Sequence, residues 1–253
     1  MELQAAAELL AERFLDARRI AVLSGAGMSA ESGIPTFRSG PNALWRGIRP
    51  EDIATPEAFA RDPAFVWRWY RERLQRAAQA SPNPGHVALA SLEPVFDSFT
   101  VITQNVDGLH AAAGSRDVIE LHGNVRRARC VGCTATVLAP AGGPLPPLHA
   151  CGAALRPDVV WFGELLPEGA FERAADAARR SQVFVVAGTS GQVQPAAGLA
   201  DVAAAAKSFV VEINPEATPL SERCDLWVRA NSGAFLPRVA AIVLAARASA
   251  PPR

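Results

Sequence analysis

Residues whose types and spacing suit catalysis recur along this chain. Tyr70 and Arg73 lie three apart in a predicted helix and share one face, and a phenol hydroxyl beside a guanidinium is a receptor for a carboxylate. Tyr70 is the only tyrosine of 253 residues, while arginine-rich helical stretches elsewhere allow a chance pairing. His122, one of four histidines, stands between Leu121 and Gly123. Its ordinary pKa near neutrality suits a general base at physiological pH, although a lone histidine is also a common structural residue. The tetrad Gln104-Asn105-Val106-Asp107 follows a strand-like run and carries two residue types that also favour turns. Gly25-Ala26-Gly27 follows the apolar run 19–24, where a glycine turn lets backbone N–H groups approach a pyrophosphate at a helix start. The next glycine is Gly33, giving GxGx5G in place of GxGxxG, so a plain tight turn is the other reading.

These residues need a scaffold that brings distant segments together. Apolar runs at 19–24, 99–103, 183–187, 209–213 and 226–228 read as buried strands. Helix-compatible stretches at 64–79, 85–92, 169–180, 196–206 and 236–248 alternate with them, which predicts an α/β fold with a Rossmann-like parallel sheet covered on both faces. Thr189 and Ser190 then stand at one strand end, and Asn214 and Glu216 at another, where a ribose is gripped in such sheets. Arg38 supplies a permanent cation for a phosphate or ribose. Residues 39–81 read as a helical insert. Residues 126–156 hold three of the four cysteines and the loop stretch 139–147, a small excursion.

Composition narrows the classes. Lys+Arg and Asp+Glu both number 25, so the formal net charge is zero, against the basic excess that nucleic-acid and anionic-membrane binders use. With 49% hydrophobic and 20% charged residues the chain reads as globular. No apolar run reaches a membrane span, and residues 1–19 lack a signal-peptide core, so a cytoplasmic protein without membrane or nucleic-acid partners is expected. Four cysteines in such a chain point to metal or incidental use, not a disulfide framework.

From Gly25 to Arg38 the string GAGMSAESGIPTFR resembles the NAD-binding signature of the sirtuin family. In order there follow Gln104–Asp107, Leu121-His122-Gly123, Val160-Trp161-Phe162-Gly163-Glu164, Gly188-Thr189-Ser190 and Asn214-Pro215-Glu216, so the resemblance spans about residues 5–245. It implies NAD as co-substrate, held by Gly25, Ala26, Gly27, Ser29, Ala30, Glu31, Ile34, Pro35, Thr36, Phe37, Arg38 and Trp45. Gln104, Asn105, Val106 and Asp107, with Gly188, Thr189, Ser190, Asn214, Pro215, Glu216 and Ser232, complete that implied set. His122 matches the family's catalytic base, with Asn105 and Asp107 ordering ribose, water and nicotinamide amide. Val160, Trp161, Phe162 and Gly163 on one edge, with Gly191 and Val193 on the other, match the edges that clamp an acyl-lysine protein substrate as an added strand. The Tyr70/Arg73 spacing resembles the YxxR pair of the desuccinylase-type (class III) branch, which prefers succinyl, malonyl or glutaryl lysine.

The implied organisation is a Rossmann-like NAD-binding domain of residues 1–38, 82–125 and 157–253, with 39–81 and 126–156 forming a small domain, in a monomer. The implied function is NAD-dependent removal of acyl groups from protein lysines, giving nicotinamide and O-acyl-ADP-ribose. Mono-ADP-ribosyl transfer and a non-catalytic NAD sensor or silencing scaffold are the alternatives. The former has no use for a carboxylate receptor, and the latter none for His122, Asn105 and Asp107 together. The cysteine module departs from the family's two CxxC pairs: Cys130 and Cys133 form one, but Leu148 and Cys151 stand where the second is expected. Zinc held by Cys130, Cys133 and Cys151, with His149 as fourth ligand, is one reading, and a metal-free loop the other.

Overall fold

The computed structural model describes residues 2–36 and 48–249. The first helix, α1 (Leu3–Asp16), buries Ala6, Ala7, Leu10, Ala11 and Phe14 at helical spacing and leads into strand β1 (Arg19–Ser24). Helices α2 (Pro56–Arg61), α3 (Pro63–Gln79) and α4 (Pro84–Leu92) follow. Each opens on proline at its first turn behind a capping side chain: Thr55, Asp62 and Asn83 accept N–H bonds from Ala58, Phe65 and His86. Then come β2 (Ser98–Thr103), the short α5 (Leu109–Ala112), β3 (Val118–Glu120), β4 (Gly123–Cys130), β5 (Thr136–Leu138) and β6 (Leu155–Val159). The chain closes with α6 (Ala170–Arg180), β7 (Val183–Ala187), α7 (Leu199–Ala205), β8 (Phe209–Ile213), β9 (Leu226–Val228) and α8 (Ser232–Ser249).

Among the described residues, six strands form one parallel sheet in the order β3-β2-β1-β7-β8-β9. Strand alternation divides its side chains between two cores. Ile20, Val22, Val183 and Val185 join α1, α4 and α8 on one face, around Phe14, Leu89, Phe235 and Val239. Ala21, Leu23, Phe184 and Val186 meet α6 and α7 on the other, around Ala174, Ala178 and Leu199. The sheet order reverses between β1 and β7, the switch point at which such sheets take ligands.

The cysteine excursion grows from a second, antiparallel sheet in the order β5-β4-β6. This sheet packs with α2 and α3 around Trp67, Phe59, Val66, Val125, Leu155 and Trp161. Trp67 Nε1–H donates to the Leu155 carbonyl at 2.6 Å, joining α3 to β6. No helix among the described residues is long and apolar enough to cross a membrane.

Candidate active site

The segments leaving β1 and β7 both line a cavity of about 690 Å3, within the range of small-molecule sites. Gly25, Ala26, Gly27, Ser29, Ala30, Ile34, Pro35 and Thr36 line it after β1, and Gln104, Asn105, Val106 and Asp107 after β2. His122, Gly188, Thr189, Ser190, Asn214, Pro215, Glu216 and Ser232 line it as well. So do Tyr70, Arg73, Val160, Trp161, Phe162, Gly163 and Val193. Two expected residues lie off the lining. Glu31 Oε2 accepts the Gly233 N–H at 2.7 Å and so caps α8, and Gly191 is a left-handed turn residue at φ 65°. Phe37, Arg38 and Trp45 fall outside the described residues.

The glycine turn departs from its expected form. It enters a 3-10 segment, Ala26–Ser32, and two of its N–H groups are already bonded: Gly25 to Ala187 O at 3.0 Å and Gly27 to Gly188 O at 2.7 Å. A Cβ on Gly27 would stand 2.8 Å from Gly188 Cα, and one on Gly25 2.7 Å from Thr189 Cβ. These two glycines therefore let two backbones touch, and their N–H groups are not the ones offered to a pyrophosphate.

Behind the cavity a small polar network fixes the tetrad. Asn105 donates its backbone N–H to Thr103 Oγ1 at 3.0 Å, and its side-chain NH2 to Gly25 O at 2.9 Å and Ser29 Oγ at 3.1 Å. With both amide hydrogens committed, the Oδ1 acceptor is the end left for a ligand. Asp107 accepts from Ser29 Oγ–H at 2.8 Å and Leu109 N–H at 2.9 Å, while Arg126 Nε–H holds its carbonyl at 2.9 Å. Burial pushes the Asp107 carboxyl above its ordinary range, partly offset by those two donors.

His122 Nδ1 lies 3.0 Å from the Gln104 carbonyl, which only accepts. Nδ1 therefore carries the hydrogen and Nε2 keeps its lone pair. Burial lowers the imidazole pKa, so the ring is neutral near pH 7. Gln104 is itself tied through Nε2–H to Thr189 Oγ1 at 3.1 Å, and Asn214 Nδ2–H holds Thr189 O at 2.8 Å. Three strand ends, β2, β7 and β8, are thus locked to one another around His122.

The Tyr70 oxygen accepts the Trp161 indole N–H at 2.9 Å, and burial pushes its pKa far up, so the phenol stays protonated. Arg73 stacks on Trp69, its guanidinium carbon 3.3 Å from the ring centroid, and donates Nη1–H to the Trp69 carbonyl at 2.8 Å. Burial draws its pKa down to about 10, which leaves it charged at neutral pH. Its Nε–H is buried without a partner among the described residues.

Away from the cavity, Cys130, Cys133, His149 and Cys151 bring their ligand atoms within 4.8 Å of one another. Sγ–Sγ separations are 3.5 Å (Cys130–Cys151) and 3.7 Å (Cys133–Cys151), and His149 Nδ1 stands 3.3 Å from both Cys133 and Cys151. A tetrahedral ion with zinc-type bond lengths wants ligand edges of about 3.5–3.8 Å, so this Cys3His set is consistent with zinc. Leu148 bridges Ala154 and points its exposed side chain elsewhere, while the turn over 149–153 delivers the imidazole in place of a second thiolate. Cys224, half-buried beside Ser221, takes no part.

Sequence reasoning missed Trp69, Arg126 and Arg156. Trp69 stands four residues before Arg73, a spacing that places them together on a helix. Arg126 and Arg156 act through the fold and carry no local signal.

Residues 25–195, more than half of the chain, match the Sir2 family. A curated relative, an NAD-dependent protein deacylase from Thermus thermophilus, is 52% identical over 223 residues, covering 86% of this chain and 87% of its own. A solved Sir2 homologue in complex with ADP-ribose superposes with a TM-score of 0.91 at 42% identity, over 97% of this chain and 99% of that one. A second solved structure, a Sir2 protein with a deacetylated p53 peptide and 3′-O-acetyl ADP ribose, gives 0.83 at 33% identity, over 92% and 96%. By sequence over most of its length and by the arrangement of its strands and cavity, the chain belongs to the Sir2 family.

Proposed function

We propose that this protein removes acyl groups from protein lysines with NAD as co-substrate, and that it favours acyl groups ending in a carboxylate. The observation that carries the first statement is the convergence of a neutral His122, Asn105 and Asp107 on one cavity at the sheet's switch point. The acyl oxygen of the lysine attacks C1′ of the nicotinamide ribose and nicotinamide leaves. His122 Nε2 then takes the proton of a ribose hydroxyl, which adds to the acyl carbon, and water completes release of the free lysine and O-acyl-ADP-ribose. Asn105 Oδ1 is placed to hold a hydroxyl or the attacking water, and Asp107 stands beside it through the shared Ser29 hydroxyl. Zinc on Cys130, Cys133, Cys151 and His149 would hold the small sheet in shape and take no part in the chemistry.

The acyl preference rests on Arg73, whose charged side chain lines the same cavity as Tyr70. A succinyl carboxylate answers both donors, whereas an acetyl methyl answers neither. Arg73→Met should therefore lower succinyl kcat/KM by roughly a hundredfold or more and leave acetyl turnover within a few-fold, since an unpaired buried charge costs on the order of 3–5 kcal/mol. Equal losses on the two peptides would return the enzyme to a plain deacetylase. Nicotinamide release measured with and without an acyl peptide tests the wider reading, because release that ignores the peptide would point to ADP-ribosyl transfer.

A further inference from the structure

The carboxylate preference proposed above leaves open what sets the phenol of Tyr70. A phenol oxygen can accept or donate, and an unconstrained one serves either kind of acyl tail. Here its acceptor side is filled by the Trp161 indole N–H at 2.9 Å. Trp161 is itself clamped. Arg156 lies flat on its indole, the guanidinium carbon 3.5 Å from the ring centroid, and Phe59 adds a tilted ring contact at 5.4 Å. The Arg156 fork reaches both carboxylate oxygens of Glu164, one at 2.8 Å, and donates to Val159 O at 3.0 Å. Glu164 Oε2 in turn accepts the Trp161 backbone N–H at 2.9 Å. Trp161, Tyr70 and Arg156 are all buried, so the indole has no other place to turn.

We infer that Trp161 is a positioning residue for acyl selection: its indole N–H, held by the Arg156–Glu164 clamp, fixes the Tyr70 phenol as a hydrogen-bond donor and so makes the cavity select acyl groups that end in an acceptor. An acyl tail with a carboxylate accepts the O–H. A tail ending in methyl leaves that O–H buried and unmet, which disfavours it. The inference rests on the carboxylate reading of the cavity but assigns its cause to a residue outside the Tyr70/Arg73 pair.

Two measurements test it. Because Tyr70 is the sole tyrosine, its Raman Fermi doublet reports the phenol's bonding directly in the intact enzyme with a tyrosine-free peptide. The free enzyme should show an accepting phenol, and adding NAD analogue with succinyl peptide should convert it to one that also donates, while acetyl peptide should not. A phenol that does not donate with succinyl peptide bound, or that donates equally with acetyl peptide bound, overturns the inference. In turnover, Trp161→Phe keeps the aromatic bulk and removes the N–H, and should lower the succinyl-to-acetyl ratio of kcat/KM about 3- to 10-fold. In a Tyr70→Phe background the same change should leave that ratio where it stands, which a merely structural indole would not do. Additive losses overturn the positioning role. If Arg73→Met is selective and Trp161→Phe is not, the carboxylate reading stands and this inference falls; if neither is selective, both fall.

Discussion

One bond from its far nitrogen decides what His122 can do. With Nδ1–H spent on the Gln104 carbonyl, Nε2 is the basic atom, and burial keeps it unprotonated below the ordinary imidazole pKa of about 6.5. The sign for activity follows. A base with a lowered pKa stays competent as pH falls through 6.5 and is lost only below its depressed value, so the acid limb of kcat/KM should sit below pH 6.5. A limb at or above that value would contradict the buried geometry. His122→Ala should keep NAD binding, measured by calorimetry, while turnover falls about 10²- to 10⁴-fold. At this scale His122, Asn105 and the Tyr70/Arg73 pair were legible because each lies in a short string of telling residue types. Their partners were not: the indole that meets Tyr70 is 91 positions away, and only the fold brings it there.

At the scale of elements, helix α3, which carries Tyr70 and Arg73, is fastened to the cysteine excursion. Arg71 donates to the carbonyls of Gly142 and Gly143 at 3.1 and 2.9 Å, and Trp67 to Leu155. Zinc analysis should give close to one ion per chain, and Cys130→Ala should lose the metal and lower Tm. The remaining folded fraction should lose succinyl turnover more than acetyl turnover, because α3 carries Tyr70 and Arg73. Gly27→Ala should destabilise the protein by about 1–3 kcal/mol in urea melts, since its Cβ would meet Gly188 backbone that cannot step aside. Strands 183–187, 209–213 and 226–228 were readable as apolar runs, and the structure places them there. Helix α8 begins at Ser232, not near Leu236, because its first turn is capped by Glu31 from 202 positions upstream. The β4–β6 pairing was likewise hidden: the strands are separated by the cysteine loop, and β4 carries Arg126, Arg127 and Arg129 amid few apolar residues.

For the whole molecule, a buried histidine pair ties stability to pH. His86 and His110 lie against one another, their ring centroids 4.8 Å apart and their planes tilted by 60°. His110 Nε2 meets Ser24 Oγ at 2.8 Å, and His86 Nδ1 accepts the Asn83 N–H at 3.3 Å. Burial draws His86 down to about 4, and burial together with the neighbouring His86 draws His110 down to about 3. Both folded values lie below the unfolded 6.5, so the unfolded chain takes up the extra protons. Stability is full above pH 6.5, declines as pH falls below it, and levels only near the folded values, with the pair together contributing on the order of several kcal/mol. Urea midpoints compared at pH 7.5, 6 and 5 should fall, and His110→Gln should make that fall shallower. An unchanged slope would remove the pair from the account.

The same sheet order has a consequence for synthesis. β1 lies between β2 and β7, and α1 rests on α8, with Arg247 donating to Leu15 O at 3.0 Å. Strand β1 is therefore enclosed late, since its second neighbour and the cover of α1 come far behind it in the sequence. Until those segments are made, Leu10, Phe14, Ile20 and Val22 lack part of the core that surrounds them in the folded protein. Such a topology closes through long-range pairings and folds slowly. Production of this protein should accordingly respond to holdase chaperones and to slower translation, and amino-terminal fragments ending before α8 should aggregate on release.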